Sequence, residues 1–138
     1  MSVDPSRDYP LAEKHPDWVR APSGLSFQEI TLEKVLAGEV GVDDLRITAE
    51  TLRRQADIAE ASGYAALAAN LRRAAELTTV PNERLLAVYN ALRPHRATRQ
   101  EVDTLCDELE TLYGACETVA FIRTAIPVYE AKGLFRRK

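Results

Sequence analysis

Around the stretch from Asn70 to Thr98 the apolar positions fall into two separate stripes. Leu67, Leu71, Ala74 and Thr78 recur three or four residues apart, and Leu85, Val88, Tyr89 and Leu92 do so again beyond Pro81. That is the spacing of an amphipathic helix with one buried face. Pro81 divides the two: its ring fixes φ and removes a donor that is unpaired anyway at the first position of a helix, so one helix is expected to stop and another to start there. Pro94 pushes its predecessor out of the α region, which makes Arg93 the expected last residue of the second helix. This corner is the expected centre of the fold, and truncating Leu85 or Tyr89 to alanine is expected to cost about 2–5 kcal/mol.

Upstream, Pro5, Pro10, Pro16, Pro22 and Gly24 prevent any long helix or central strand within residues 1–30. The same residues include Tyr9, Leu11, Trp18, Val19, Leu25, Phe27 and Ile30, each worth about 1.5–3 kcal/mol when buried. Such an arm wants a surface to lie on, and the residues alone leave two open: its own helical domain or a partner subunit. Thr31 can cap a short helix from Leu32 to Ala37 that Gly38 ends, followed by a turn-rich connector through Gly41. Thr48 caps the next, Ala49 to Ala61, with a stripe of Leu52, Ala56 and Ala59 broadened by Ile58, and the pair Ser62 and Gly63 stops it. Ala65, Ala66, Ala68 and Ala69 then predict close approach of a second helix, starting near Tyr64, in an antiparallel hairpin.

Thr98 with Glu101 matches a capping box. It opens the longest pattern, in which Val102, Leu105, Leu109, Leu112, Cys116 and Val119 form a seam able to receive either a helix of this chain or one of another. Gly114 and Pro127 predict a kink or break, and Gly133 the stop after Lys132. No stretch sustains the alternation of a strand, and no repeat is visible. The predicted class is all-α: a compact domain of about four to five helices over residues 31–138, preceded by an extended N-terminal arm over residues 1–30.

Composition changes this picture little. With 46% hydrophobic and 28% charged residues among 138, the chain is an ordinary globular one, with no apolar run approaching the roughly 20 residues of a bilayer span and no apolar core for a leader at its start. A net charge of −3, with arginines interleaved among carboxylates, disfavours a nucleic-acid binder, so a DNA-binding helical module ranks last among the readings. Only the tip from Phe135 to Lys138 is basic, and it reads as a solvated end that complements the last helix dipole.

Few residues of the chain stand in patterns that carry chemistry. Cys106 and Cys116, placed on one helix, would stand about 15 Å apart, beyond disulfide reach, and read as small core or near-core residues. His15 and His95 have no second ligand at a metal-binding spacing. Adjacent carboxylates such as Asp43 and Asp44 point to different faces, and Arg53, Arg54, Arg72 and Arg73 are expected to pair with Glu50, Glu60 and Glu76. No phosphate loop, nucleophile elbow or paired-cysteine motif occurs. No catalytic, cofactor-binding or metal-ligating residue is assigned, and the residues alone read as a helical adaptor or accessory subunit.

Five segments add a resemblance. RRAAELTTVPNERLLAVYNALRPHRAT (Arg72 to Thr98), DYPLAEKHPDWV (Asp8 to Val19), ITLEKVLAGEV (Ile30 to Val40), RITAETLRRQADIAE (Arg46 to Glu60) and AFIRTA (Ala120 to Ala125) together resemble the small, or gamma, subunit of the adenosylcobalamin-dependent diol and glycerol dehydratases. The resemblance implies a dimer of heterotrimers with large (alpha) and medium (beta) subunits. The large subunit is then a β/α barrel holding the diol and a potassium or divalent metal ion, and the cobalamin lies between large and medium subunits. A radical taken from the cofactor abstracts hydrogen from a 1,2-diol, and hydroxyl migration with loss of water leaves the aldehyde. The small subunit supplies no reacting group in such enzymes and packs against the large one, which makes Tyr9, Leu11, Trp18 and Phe27 the expected subunit-interface residues. The implied location is the bacterial cytoplasm, free or in a microcompartment. Some members carry a longer N-terminal extension linked to packaging or low solubility; the seven residues before Asp8 point toward a free enzyme or a glycerol-type member.

Overall fold

Thr31, Thr48 and Thr98 each place a hydroxyl oxygen where it accepts the backbone N–H three residues on, from Lys34, Thr51 and Glu101, and one helix begins after each of them. The computed structural model describes residues 3–137. Every regular element among them is helical: α1 (Pro5–Asp8), α2 (Leu11–Lys14), α3 (Leu32–Leu36), α4 (Ala49–Ala61), α5 (Ala65–Leu77), α6 (Asn82–Ala91), α7 (Arg99–Tyr113) and α8 (Cys116–Lys132), with short 3₁₀ turns at Pro16–Trp18, Phe27–Glu29 and Val42–Leu45. Five of these helices, α4 to α8, run ten residues or more. The all-α expectation therefore holds. None of them is long and apolar enough to cross a membrane. The chain divides into two compact units between Thr78 and Thr79, so residues 3–30 fall in one unit with α3, α4 and α5.

In the first unit α4 and α5 form the expected hairpin. Gly63, at a φ of +84°, supplies the left-handed turn between them, a conformation a side chain would disfavour. Ala56, Ala59 and Ala68 meet at the contact with Leu71 packed against them, small residues that let the two backbones approach closely. Of the four alanines expected at this contact, Ala68 is fully buried and Ala69 partly so, whereas Ala65 and Ala66 are exposed. Arg72 spans the hairpin to Asp57 and Glu60, and Arg54 pairs with Glu50 along α4, so two of the four arginines meet carboxylates as expected. No helix before Leu32 exceeds four residues, as the prolines require.

The second unit begins after the break that Pro81 marks. Pro81 is the cap of α6 and not its first residue, and α6 ends at Ala91 with Leu92 as its C-cap, two residues before the expected limit at Arg93. The capping box of Thr98 and Glu101 is formed in full. Gly114, at a φ of +63°, ends α7, so the long pattern is two helices; α8 continues through Pro127 to Lys132. Val102, Cys106, Leu109, Val119, Ile122 and Ile126 are buried. The break at Gly114 places Cys106 and Cys116 on different helices, both free, and Cys116 is exposed, contrary to its expected place in or near the core. Leu112 is likewise outside the seam. The basic tip is not simply solvated: the Arg136 N–H donates to the Ala97 carbonyl at 2.8 Å and its guanidinium pairs with Glu101 at 2.6 Å. Lys138 lies outside the described residues.

One core assignment is overturned. Tyr89 is 69% exposed and Leu85 only half-buried, because a three-and-four spacing identifies a helix face without identifying what covers it. Truncation of Leu109, which is buried on α7, is expected to cost about 2–5 kcal/mol, and Ala68→Leu about 1–3 kcal/mol by overpacking the hairpin. Tyr89→Ala should stay within about 0.5 kcal/mol of the parent. Thermal melts of the three variants check the order; a Tyr89 variant as damaged as the Leu109 one would refute it.

Candidate interaction site

The arm from Asp4 to His15 is held by a carboxylate. Asp8 is fully buried, and a charge in that position requires partners. Its two oxygens accept four hydrogen bonds: Oδ1 from Arg7 Nε at 2.7 Å and His15 Nε2 at 2.9 Å, Oδ2 from the Asp4 backbone N–H at 2.8 Å and Arg7 Nη2 at 2.7 Å. The Arg7 bonds, then the Asp4 N–H, with His15 adding to them, hold its carboxyl far below the usual carboxylate range, against the opposing effect of burial. An ionised Asp8 can only accept, so the proton of His15 sits on Nε2.

His15 carries this network to α4. Its ring stacks on Trp18 with centroids 3.8 Å apart and planes 8° from parallel, and the Arg54 guanidinium lies 4.3 Å from the Trp18 ring centre, a cation–π contact. Leu11 is buried and lines the surface of α4 beside Thr51 and Gln55. Thus two of the four expected interface residues, Leu11 and Trp18, attach the arm to its own unit. The other two face outward: Tyr9 is 64% and Phe27 51% exposed.

Tyr9 and Phe27 stand at two separate grooves that share Leu11 and Ala12 as a dividing wall. The first, about 660 Å³, is walled by Tyr9, Pro10, Ile58, Tyr64 and Leu67 and has no charged residue in its lining. The second, about 310 Å³, is walled by Phe27, Ile30, Leu45 and Ile47. A third, about 760 Å³, lies on the second unit among Arg84, Asn90, Gln100 and Glu108, where Arg84 and Glu108 are already paired in a two-bond fork. Burial pushes the Cys106 thiol up, away from reactivity. Among the described residues no three of His, Cys, Asp or Glu stand together as a metal site.

Sequence reasoning missed Asp8, since no local sequence pattern links an aspartate to a histidine seven residues on. It also passed over the exposed apolar residues from Leu32 to Ile47, whose signal was present: Leu32, Val35 and Leu36 make a stripe on a helix too short to bury it.

Grooves floored by aliphatic and aromatic side chains, beside a saturated carboxylate that has no acceptor left to offer, define a helical protein that presents surfaces for packing. The chain belongs to the dehydratase small-subunit family, whose model matches residues 5–136. It is 50% identical over 122 residues to the propanediol dehydratase small subunit of Citrobacter freundii, covering 88% of this chain and 71% of that one. The same identity, over 70% of its length, holds for the propanediol dehydratase small subunit of Salmonella typhimurium strain LT2.

The linkage of Asp8 to folding has a definite sign. Its folded pKa lies below the ordinary 3.8, so its contribution is complete above about pH 4 and is lost as acid protonates the folded form. Asp8→Asn should lower the melting temperature at pH 7 and should flatten its fall between about pH 4 and pH 2. A variant that melts like the parent at both ends of that range would remove Asp8 from the account.

Proposed function

We propose that this chain is the accessory small subunit of an adenosylcobalamin-dependent diol dehydratase, required for the assembled enzyme and without a reacting group of its own. The observation that carries this is its half-identity, over most of its length, to two propanediol dehydratase small subunits. A small subunit needs other chains, and we take these to be a large and a medium subunit in a dimer of heterotrimers within the bacterial cytoplasm, free or in a microcompartment. The substrate is then a 1,2-diol, propanediol before glycerol in view of the names of the two relatives, and the reaction is a hydro-lyase dehydration to the aldehyde.

The residues of this chain do not fit the cofactor or the ion. His15 is bonded to Asp8 and stacked on Trp18, and the larger groove of the first unit lacks any charged residue in its lining. We take both groups to be held by the other subunits, a reading these already engaged side chains support. What this chain contributes is shape. Leu11 and Trp18 fix the arm on α4, and that fixed arm presents Tyr9 and Phe27 to the large subunit as apolar anchors, a division of labour supported by their opposite exposures.

Co-expression with large and medium dehydratase chains tests the reading. A large complex on gel filtration and aldehyde formation from 1,2-propanediol with added adenosylcobalamin are expected only when this chain is present. Tyr9→Ala and Trp18→Ala should each loosen its hold on the complex about tenfold, or about 1.4 kcal/mol. Equal assembly and turnover without this chain would end its role as a required subunit.

A further inference from the structure

We infer that the outward apolar segment from Leu32 to Ile47 is the main seat of this chain on the large subunit, against an apolar floor with a basic rim. The inference rests on the reading of the chain as a dehydratase small subunit and goes beyond the arm residues Tyr9 and Phe27. Leu32, Val35 and Leu36 occupy one face of α3 at spacings of three and four, and all three are exposed, Leu36 at 80%. Val42 and Leu45 follow one 3₁₀ turn apart and are exposed as well, Val42 at 78%, and Ile47 continues the run.

The segment is ordered without burying those six side chains. Thr31 caps α3, the Glu39 and Val40 N–H groups close on the Lys34 carbonyl, and Val40 is buried as a plug. Asp44 accepts the Gly41 N–H at 2.8 Å and a bond from Ser23. A backbone tied down in this way, holding apolar groups in water, is a surface prepared for a partner.

Area and charge favour a different chain over a second copy, and the proposed function makes that chain the large subunit. At roughly 60–120 Å² for each large aliphatic side chain, partly reduced by contacts already made, the six offer on the order of 400 Å². That is about half of the roughly 800 Å² that each side of a standard interface uses. The groove walled by Phe27, Ile30, Leu45 and Ile47 extends the same surface. Glu29, Glu33, Glu39, Asp43 and Asp44 surround it, against the two cations Lys34 and Arg46, of which Arg46 is paired with Asp43, so carboxylates remain in excess. A second copy docked by a two-fold axis would set these carboxylates against one another, whereas a different chain with a basic rim would complement them.

The test uses the co-expressed large, medium and small chains, with the small chain's retention on a tagged large subunit as the readout. Leu36→Glu combined with Val42→Glu should cut retention by at least about tenfold with an unchanged helical circular dichroism spectrum. Leu86→Glu, at an exposed site on α6, should be retained like the parent. Leu36→Ser with Val42→Thr repeats the measurement should the charged pair fail to fold, with a smaller loss in the same direction. Cross-links from Lys34 should reach the large subunit. Full retention of both double variants, or Lys34 cross-links confined to the medium subunit or a second copy, would overturn the assignment while the dehydratase reading stood. Failure of the parent chain itself to join the complex would instead overturn that reading and this inference with it.

Discussion

The Asp8 carboxylate is the constraint on which the first unit turns. Removing it from water carries a penalty that only a full set of donors offsets, and the arm supplies all four from Asp4, Arg7 and His15 within twelve residues. Satisfying Asp8 therefore folds the segment on itself before any apolar contact is counted. The network then reaches α4 by way of His15, Trp18, Arg54 and Glu50. Because polar bonds and one buried leucine do the holding, the large apolar groups at Tyr9 and Phe27 are free to face outward.

The hairpin works in the complementary way. Ala56, Ala59 and Ala68 form a contact of small side chains, which brings two helices close with little apolar area. A thin core of that kind cannot also enclose Leu32, Leu36, Val42 or Leu45, and they remain at the surface. In the second unit the ends of the elements are closed by polar contacts: the Tyr129 hydroxyl donates to the Leu92 carbonyl, and the His95 N–H to that of Leu134. Both units thus fix their backbones with caps and polar clasps, and both leave large side chains in solvent.

What could be read in advance follows from this. Helix limits were legible wherever a local chemical signal sets them: the hydroxyls of Thr31, Thr48 and Thr98, and the left-handed stops at Gly63, Gly114 and Gly133. Burial was not, as Tyr89 demonstrates, because periodicity reports that a face exists and is silent on its cover. The arm was legible only as an apolar segment in need of a surface; its attachment through Asp8 depends on side chains brought together across α1 and α2. The family could be named from five segments, while the residues that meet a partner could not, since complementarity belongs to two chains and only one was in view.

That limit bears on how an obligate subunit differs from an adaptor that binds by folding. A segment that orders on binding loses conformational freedom at that moment and holds its partner more weakly for the area covered. Here the segment from Leu32 to Ile47 has its turns capped and Val40 buried in the isolated chain, so most of that entropy is already lost. Its apolar groups face water at a standing disadvantage that only a permanent partner removes. A surface ordered in advance and unfavourable when bare suits the accessory-subunit role proposed for this chain.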